Sequence, residues 1–294
     1  MSEQQKQTLN FFNSSVDEWQ RRAVREEYSV IIDRHNAVSF AAKAHGAVKS
    51  LLDVGCGTGH LCIETSQMGI NSVGLDFAPQ MIERAKQNAS EVGSSANFQV
   101  GSIFDVEISN GSYDLVSAQG FIEYISSEQF DEFLEICRQA LTPGGFVAIG
   151  SRNRLFNLFT LNDFTTMEIE LGFVDELRAE VEALVAASSQ VEAIDRLDKF
   201  AAAYGHPVSH PVTHVGVQTR YQYSPAEVLN RLNRVGLKAK YFLPVNFHFL
   251  PPVCLTSAES QQMRDNLAKW AMMTETTNHR LIPQCSSFVF VASK

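Results

Sequence analysis

The chain predicts an α/β protein built on a doubly wound, mostly parallel seven-stranded sheet, and three observations carry that prediction. Between Leu51 and Gly150 short apolar runs alternate with segments of helical periodicity, the pattern of parallel strands covered by helices on both faces. The first run, Leu51-Leu52-Asp53-Val54, passes into Gly55-Cys56-Gly57-Thr58-Gly59, whose glycines lack a Cβ and let the backbone turn tightly and approach a ligand. A second run, Asn71 to Leu75, ends in Asp76 about twenty residues past the first glycine, where open α/β sheets grip a ribose.

The elements follow in order. A helix after the glycine turn offers its first, unpaired N–H groups to whatever the turn holds. Past Asp76 and Phe77, Pro79 opens a helix through Glu91 whose Met81, Ala85 and Ala89 share a face. Asn97 to Gly101 is a third strand leading to Ser102-Ile103-Phe104, and Tyr113 to Ala118 a fourth leading to Gln119-Gly120. A helix from Glu128 to Leu141 and a Thr142-Pro143-Gly144-Gly145 turn precede a fifth strand, Phe146 to Gly150. Ser224-Pro225-Ala226-Glu227 is a capping-box start to a helix with Val228, Leu229, Leu232 and Val235 inward, closed by Gly236. Leu237 to Leu243 and Ser286 to Ala292 are the last two strands. The stretch Pro244 to Pro252 and a helix near Met263 to Met273 form a long insertion between them.

Two segments lie outside this sheet. Val16 to His45 carries Val24, Tyr28, Ile31, Ile32 and His35 at helical spacing, so residues 1–45 read as a helical lid. Residues 152–223 enter after the fifth strand, at the carboxyl end where such sheets bind ligands. Amphipathic helices from Phe173 to Val185 and Val191 to Ala203 make them a substrate cap, leaving 46–151 and 224–294 as the nucleoside-binding core. The flanks of the cap mix polar and aromatic groups, as pockets require: Arg152, Arg154 and Phe156 on one side, His206, His210, His214, Arg220, Tyr221 and Tyr223 on the other. Prolines between the histidines keep them off one helix face, and no metal is expected.

Composition narrows the class. Of 294 residues, 45% are hydrophobic and 19% charged, a globular balance. No apolar stretch approaches a membrane span and the polar start lacks a signal-peptide pattern, so a cytoplasmic protein without membrane attachment is expected. Five cysteines, an odd number without metal-type pairing, are expected as free buried thiols. A formal net charge of -9 without a basic stripe argues against nucleic acid and for a small-molecule partner; oligomeric state stays open.

The glycine turn alone is shared by two cofactor classes. The dinucleotide fingerprint places a third glycine where this chain has His60. Joined to Asp76, Ser102-Ile103, Gln119-Gly120 and the Leu-Thr-Pro-Gly-Gly turn, the run resembles the first motif of class I S-adenosylmethionine-dependent methyltransferases, over about half the chain. That resemblance implies a Rossmann-like methyltransferase fold, an edge pair containing an antiparallel strand, S-adenosylmethionine as cofactor, and methyl transfer to oxygen or nitrogen of a small molecule in biosynthesis.

It also assigns residues. Asp53, Gly55, Cys56 and Gly57 form the cofactor turn, Asp76 holds the ribose, Phe77 and Ile103 flank the adenine, and Met81 belongs to the same cofactor site. Ser102 stands where members often carry an Asp that accepts from the adenine amino group, and Gln119 and Gly120 end the fourth strand. In relatives with a comparable Phe-Phe-Asn start the N-terminal helix closes the site, making Trp19, Tyr28 and Arg34 candidate contacts, the last to the methionine carboxylate. Glu123-Tyr124 resembles the Glu-His pair after the fourth strand in ubiquinone-biosynthesis O-methyltransferases, with tyrosine in place of histidine. Catalytic candidates are therefore Glu123, Tyr124, and His210 or His214 as general base. A protein methyltransferase, a nicotinamide oxidoreductase and a non-catalytic cofactor-binding protein remain alternatives.

Overall fold

The computed structural model describes residues 2–24, 30–200, 207–211, 217, 220–254, 257, 262–263, 266 and 278–294. Its helices are α1 (Glu3–Ser14), α2 (Val16–Val24), α3 (Val30–His45), α4 (His60–Gln67), α5 (Pro79–Glu91), α6 (Ser127–Ala140), α7 (Asn157–Thr160), α8 (Asp163–Leu171), α9 (Val174–Ala186), α10 (Gln190–Leu197) and α11 (Pro225–Arg234). Its strands are β1 (Ser50–Val54), β2 (Asn71–Asp76), β3 (Asn97–Val100), β4 (Tyr113–Gln119), β5 (Leu141–Arg152), β6 (Val208–Ser209), β7 (Tyr221–Gln222), β8 (Lys238–Phe247) and β9 (Cys285–Ser293).

Seven strands form one sheet in the order β3-β2-β1-β4-β5-β9-β8. The first five are mutually parallel, and β9 runs antiparallel to both β5 and β8. Winding reverses between β1 and β4, which leaves a crevice beyond their carboxyl ends, the usual ligand position in this architecture.

Side-chain parity fixes the layers. Leu52, Val54, Val116, Val147, Ile149, Phe288 and Phe290 face a core completed by α6 and α11, while Leu51, Leu115, Phe146, Ala148, Val289 and Val291 face the opposite core under α3, α4 and α5. A slip of one residue would exchange the two sets, so register is strongly specified. Each fully buried Leu or Phe adds about 1.5–3 kcal/mol. Capping boxes at Ser126 with Gln129 and Ser224 with Glu227 start α6 and α11, and Pro79 starts α5.

Four expectations change. The N-terminal region is not one helix from Val16: α1 precedes it, and α1 and α2 meet at Ser15. Strand β8 runs through Pro244 to Phe247, four residues of the stretch expected to be an insertion; as an edge strand it tolerates a residue without an N–H. The helices of 152–223 do not stand apart, since Leu177, Leu184, Ala193 and Leu197 share the core of β5 and α11. Cys254 is exposed, whereas Cys56, Cys62, Cys137 and Cys285 are buried free thiols. Most of the helix expected near Met263 to Met273 lies outside the described residues, as do Tyr28, His206, His214 and the end of the Val191 to Ala203 segment. Among the described residues no helix is long and apolar enough to cross a membrane.

Candidate active site

A cavity runs along the carboxyl ends of β1 to β5, and α1, α2 and α3 roof it with Phe12, Trp19, Ile31, Arg34 and His35. Its floor starts at the glycine turn, where Gly55, Gly57 and Gly59 hold φ of 72°, 53° and 83°. The left-handed region costs other residues about 1–2 kcal/mol. The two later glycines serve different ends. A Cβ on Gly59 would stand 2.7 Å from the Phe98 ring and 2.8 Å from Ala85, whereas nothing lies within 4 Å of one on Gly57. Packing demands the first, and the second keeps the backbone open to a ligand.

Asp76 closes this turn from β2. Its Oδ2 accepts from the Gly57 N–H and its Oδ1 from the Ala78 N–H, both at 2.9 Å, and each oxygen retains capacity for another donor. Burial raises its pKa to about 6 against those two bonds. Burial also lifts Asp53, at the end of β1, to about 7. Among the described residues Asp53 Oδ1 has no hydrogen-bond donor, and neither has Gln119 Oε1, whose amide nitrogen is spent on Ala148 O at 2.8 Å and Ser117 Oγ at 3.2 Å. Two buried acceptors on one wall call for a ligand that donates.

Beyond Asp76 the wall turns apolar. Phe77, Met81, Ile103 and Phe104 line it, together with Ser102, whose Oγ accepts from the Phe104 N–H at 3.3 Å. Phe12 reaches in from α1, with its ring 5.7 Å from Trp19, 6.5 Å from Phe77 and 5.2 Å from Tyr124. Lid and core are tied by Arg84 to Asp17 at 2.9 Å and Asn88 to Gln20 at 2.8 Å.

The other end is ionic. Gly120, at φ 80°, turns the chain out of β4 into a single 3-10 turn, Phe121–Tyr124, which buries Glu123. Glu123 Oε1 accepts from Arg34 Nη2 at 2.7 Å and the Arg152 N–H at 3.0 Å; Oε2 faces Arg152 Nε at 3.3 Å and Arg220 Nε at 3.9 Å. Although burial opposes ionisation, these guanidiniums hold the Glu123 carboxyl below its usual range. Arg34 Nε also donates to Ser287 Oγ at 2.8 Å, linking the lid to β9.

Thus Asp53, Gly55, Cys56, Gly57, Asp76, Phe77, Met81, Ser102, Ile103, Gln119, Gly120, Trp19 and Arg34 meet around one cavity, with Glu123, Tyr124, Arg152 and Arg220 at its far end. Four other site candidates do not line it. His210 stands behind Arg220, its Nε2 3.4 Å from Arg220 Nε, and burial beside Arg220 and Arg152 lowers its pKa to about 2. Arg154 grips Glu168 through both oxygens, at 3.0 and 2.9 Å, and its guanidinium lies over Phe173. Phe156 packs against Phe159 and His248, and Tyr221 pairs in β7 with Ser209. Among the described residues no group of three or more His, Cys, Asp or Glu is placed to hold a metal.

Gln5, Thr8, Phe12, His35 and His60 line the cavity without having been singled out as contacts. For Phe12 the signal was the Phe11-Phe12-Asn13 run on a helix with almost no buried residues. Burial drives the His35 pKa to about 3, with His60 and Arg34 adding to the effect, so its ring is neutral.

Comparison with known proteins agrees with this architecture. Residues 51–145 match the family described as "Methyltransferase domain". The ubiquinone biosynthesis O-methyltransferase of Nitrobacter winogradskyi is 30% identical over 111 residues, covering 38% of this chain and 41% of that protein. The protein of the same description from Methylobacterium sp. (strain 4-46) is 27% identical over 164 residues, 56% of this chain and 65% of that one. The chain thus spans about half the length of the curated relatives it matches. Among solved structures, magnesium protoporphyrin IX methyltransferase from Synechocystis PCC 6803, with bound SAH, superposes with a TM-score of 0.56 at 13% identity over 99% of both chains. An S-adenosylmethionine-dependent methyltransferase from Mesorhizobium loti gives a TM-score of 0.50 at 14% identity over 87% of this chain and 96% of that one. The matched domain, the sheet order and the glycine turn together show a methyltransferase domain at residues 51–145, on a fold shared with S-adenosylmethionine-dependent methyltransferases.

Proposed function

We propose that the protein transfers the methyl group of S-adenosylmethionine to an oxygen or nitrogen of a small-molecule acceptor. One observation carries the reading: a single buried cavity joins the ribose-type carboxylate at Asp76 to the polar cluster around Glu123, so donor and acceptor share one enclosed space. The residues fit the cofactor in kind. Asp76 offers acceptors for ribose hydroxyls, Phe77, Met81 and Ile103 an apolar slot for adenine, Asp53 and Gln119 unpaired acceptors for an ammonium, and Arg34 a guanidinium for a carboxylate.

When bound, the cofactor supplies an electrophilic methyl carbon. The protein's part is to align and to exclude water, and proximity of this kind is worth about 7–11 kcal/mol. The α1–α3 roof excludes water, while the Phe121–Tyr124 turn and Arg152 shape the opposite wall. Proton removal contributes the smaller share, about a hundred- to ten-thousandfold where it is needed. Glu123 is committed to three arginines, burial raises the Tyr124 phenol above its usual range, and His210 is screened by Arg220. Among the described catalytic candidates none is therefore free to take a proton, which favours an acceptor that arrives ready to react or a water-mediated proton exit.

Calorimetry with S-adenosylmethionine and S-adenosylhomocysteine tests the first half: both should bind, and absence of both binding events would sink the reading. Labelled methyl donor in a lysate tests the second. Label is expected in the small-molecule fraction; label confined to polypeptide would identify a protein methyltransferase instead.

A further inference from the structure

Resting on the methyltransferase reading, we infer that the acceptor carries an anionic oxygen group, a carboxylate or phosphate, held by Arg152 and Arg220 at the β5 end of the cavity.

The argument is one of charge and donor count. The cofactor contacts proposed above at Asp53, Asp76 and Ser102 lie at the ends of β1, β2 and β3. Arg152 ends β5, on the opposite side of β4 from those contacts, and Arg220 precedes β7, which bridges to the end of β5 through Asn153 and Tyr223. Among the described residues the acid facing these two guanidiniums is Glu123, and Glu123 is already engaged by Arg34. Among the described residues one carboxylate therefore answers three guanidiniums, an excess of positive charge in which Arg34 and Arg220 are buried.

Burial makes that excess costly. Arg220 is 7% exposed at its side chain and stands 3.9 Å from Glu123, the outer limit of an ion pair. Arg152 is 37% exposed, open towards the cavity. Its pKa falls to about 10, chiefly through burial, with Arg220 and Arg34 adding repulsion. The cofactor's carboxylate, assigned above to Arg34, would answer that guanidinium, which leaves Arg152 and Arg220 to Glu123 among the described acids. A neutral acceptor would leave the buried Arg220 guanidinium with Glu123 only at the limit of an ion pair, whereas an anionic one would answer it together with Arg152.

The hydrogen-bonding character of this wall agrees. Arg152, Arg220 and the Tyr124 hydroxyl, which lies against Arg220, are donors, and Glu123 has both oxygens occupied. A group made wholly of acceptors is what such a wall recognises, and planar guanidiniums bind carboxylate or phosphate through paired bonds.

The test uses the full chain saturated with S-adenosylhomocysteine, titrated by calorimetry with 4-hydroxybenzoate, phenyl phosphate and neutral 4-hydroxybenzamide. At least one anionic probe should bind about tenfold or more tightly than the amide, and the better of the two distinguishes carboxylate from phosphate. Arg152→Met and Arg220→Met should each weaken that binding about tenfold or more, and Arg220→Lys should recover part of it. Affinity for S-adenosylhomocysteine should change by less than about threefold in the same variants. Equal binding of amide and anions, no binding by any probe, or unchanged anion affinity in a folded Arg152→Met protein would overturn the inference. Failure to bind S-adenosylhomocysteine at all would instead overturn the methyltransferase reading.

Discussion

The two ends of the cavity are built by opposite strategies. At the end we assign to the cofactor the surface is mostly backbone: left-handed glycines, the Gly57 and Ala78 amides bound to Asp76, and strand termini a few residues from one another. At the end we assign to the acceptor it is side chain on side chain, with Arg34, Glu123, Arg152, Arg220 and Ser287 drawn from across the whole sequence. Their carboxyls respond in opposite senses, Asp53 and Asp76 pushed up by burial and Glu123 pulled down by guanidiniums. Backbone sites tolerate divergence in surrounding side chains, whereas the ionic end depends on each partner.

The largest effect should therefore come from the hub of the ionic end. Glu123→Ala leaves three guanidiniums facing one another, and loss of one partner from a buried ion pair costs about 3–5 kcal/mol. Urea unfolding should show a loss of that order, while the glycine turn remains able to bind S-adenosylhomocysteine if the variant folds. A loss below about 1 kcal/mol would mean that the arginines relax into solvent and that the two ends are less different than their geometry indicates.

The next prediction concerns pH. Asp53 has a folded pKa of about 7 against an ordinary 3.8, so the native state binds more protons than the unfolded chain between those values. Its contribution is harmless below about pH 4 and becomes a full penalty above about pH 7. Without ligand, Asp53→Asn should gain about 2–4 kcal/mol relative to the parent as pH rises from 5 to 8, at about 1.4 kcal/mol per pKa unit. Glu123 has the reverse sign: its stabilisation is lost only as pH falls through its depressed pKa. Parallel urea midpoints for parent and Asp53→Asn at both pH values would remove the proposed contrast.

Asp76→Ala comes third. Removing a buried carboxylate that bonds two amides and faces the cavity should weaken S-adenosylhomocysteine binding about tenfold to a hundredfold, the worth of charged hydrogen bonds of about 1.5–3 kcal/mol. Calorimetry on a folded variant decides it, and unchanged affinity would strip Asp76 of the ribose role.

The same contrast explains what could be read from the sequence. Asp53 to Gly59 and Asp76 were legible because local spacing dictates their geometry, and so were the core strands whose apolar parity fixes register. Glu123 and Arg220 could be nominated but not joined, since no local rule brings residue 220 beside residue 123. Arg154 was nominated for the same flank as Arg152, yet the turn at Asn153 sends it the other way, into a bidentate pair with Glu168. His210 failed for a similar reason: antiparallel pairing with the strand before Tyr223 sets it behind Arg220. Helix α1 escaped because its face is mostly polar and its one large contribution, Phe12, packs on residues of α2, the loop after β2 and the Phe121–Tyr124 turn.

That ring supplies the smallest and most discriminating test. Phe12 touches Trp19 in the lid, Phe77 at the cofactor end and Tyr124 at the acceptor end, so it is the side chain through which the roof senses both halves. Aromatic pairs of this geometry are worth about 0.5–1.5 kcal/mol beyond their buried area. Phe12→Ala should leave the fold intact and accelerate S-adenosylhomocysteine dissociation several-fold in stopped-flow measurements, with little change in association, because the lost contacts are made only by the closed roof. Were association to change instead, with dissociation untouched, the roof would gate entry rather than retain what the backbone end has bound. The two ends of the cavity would then be filled through separate openings.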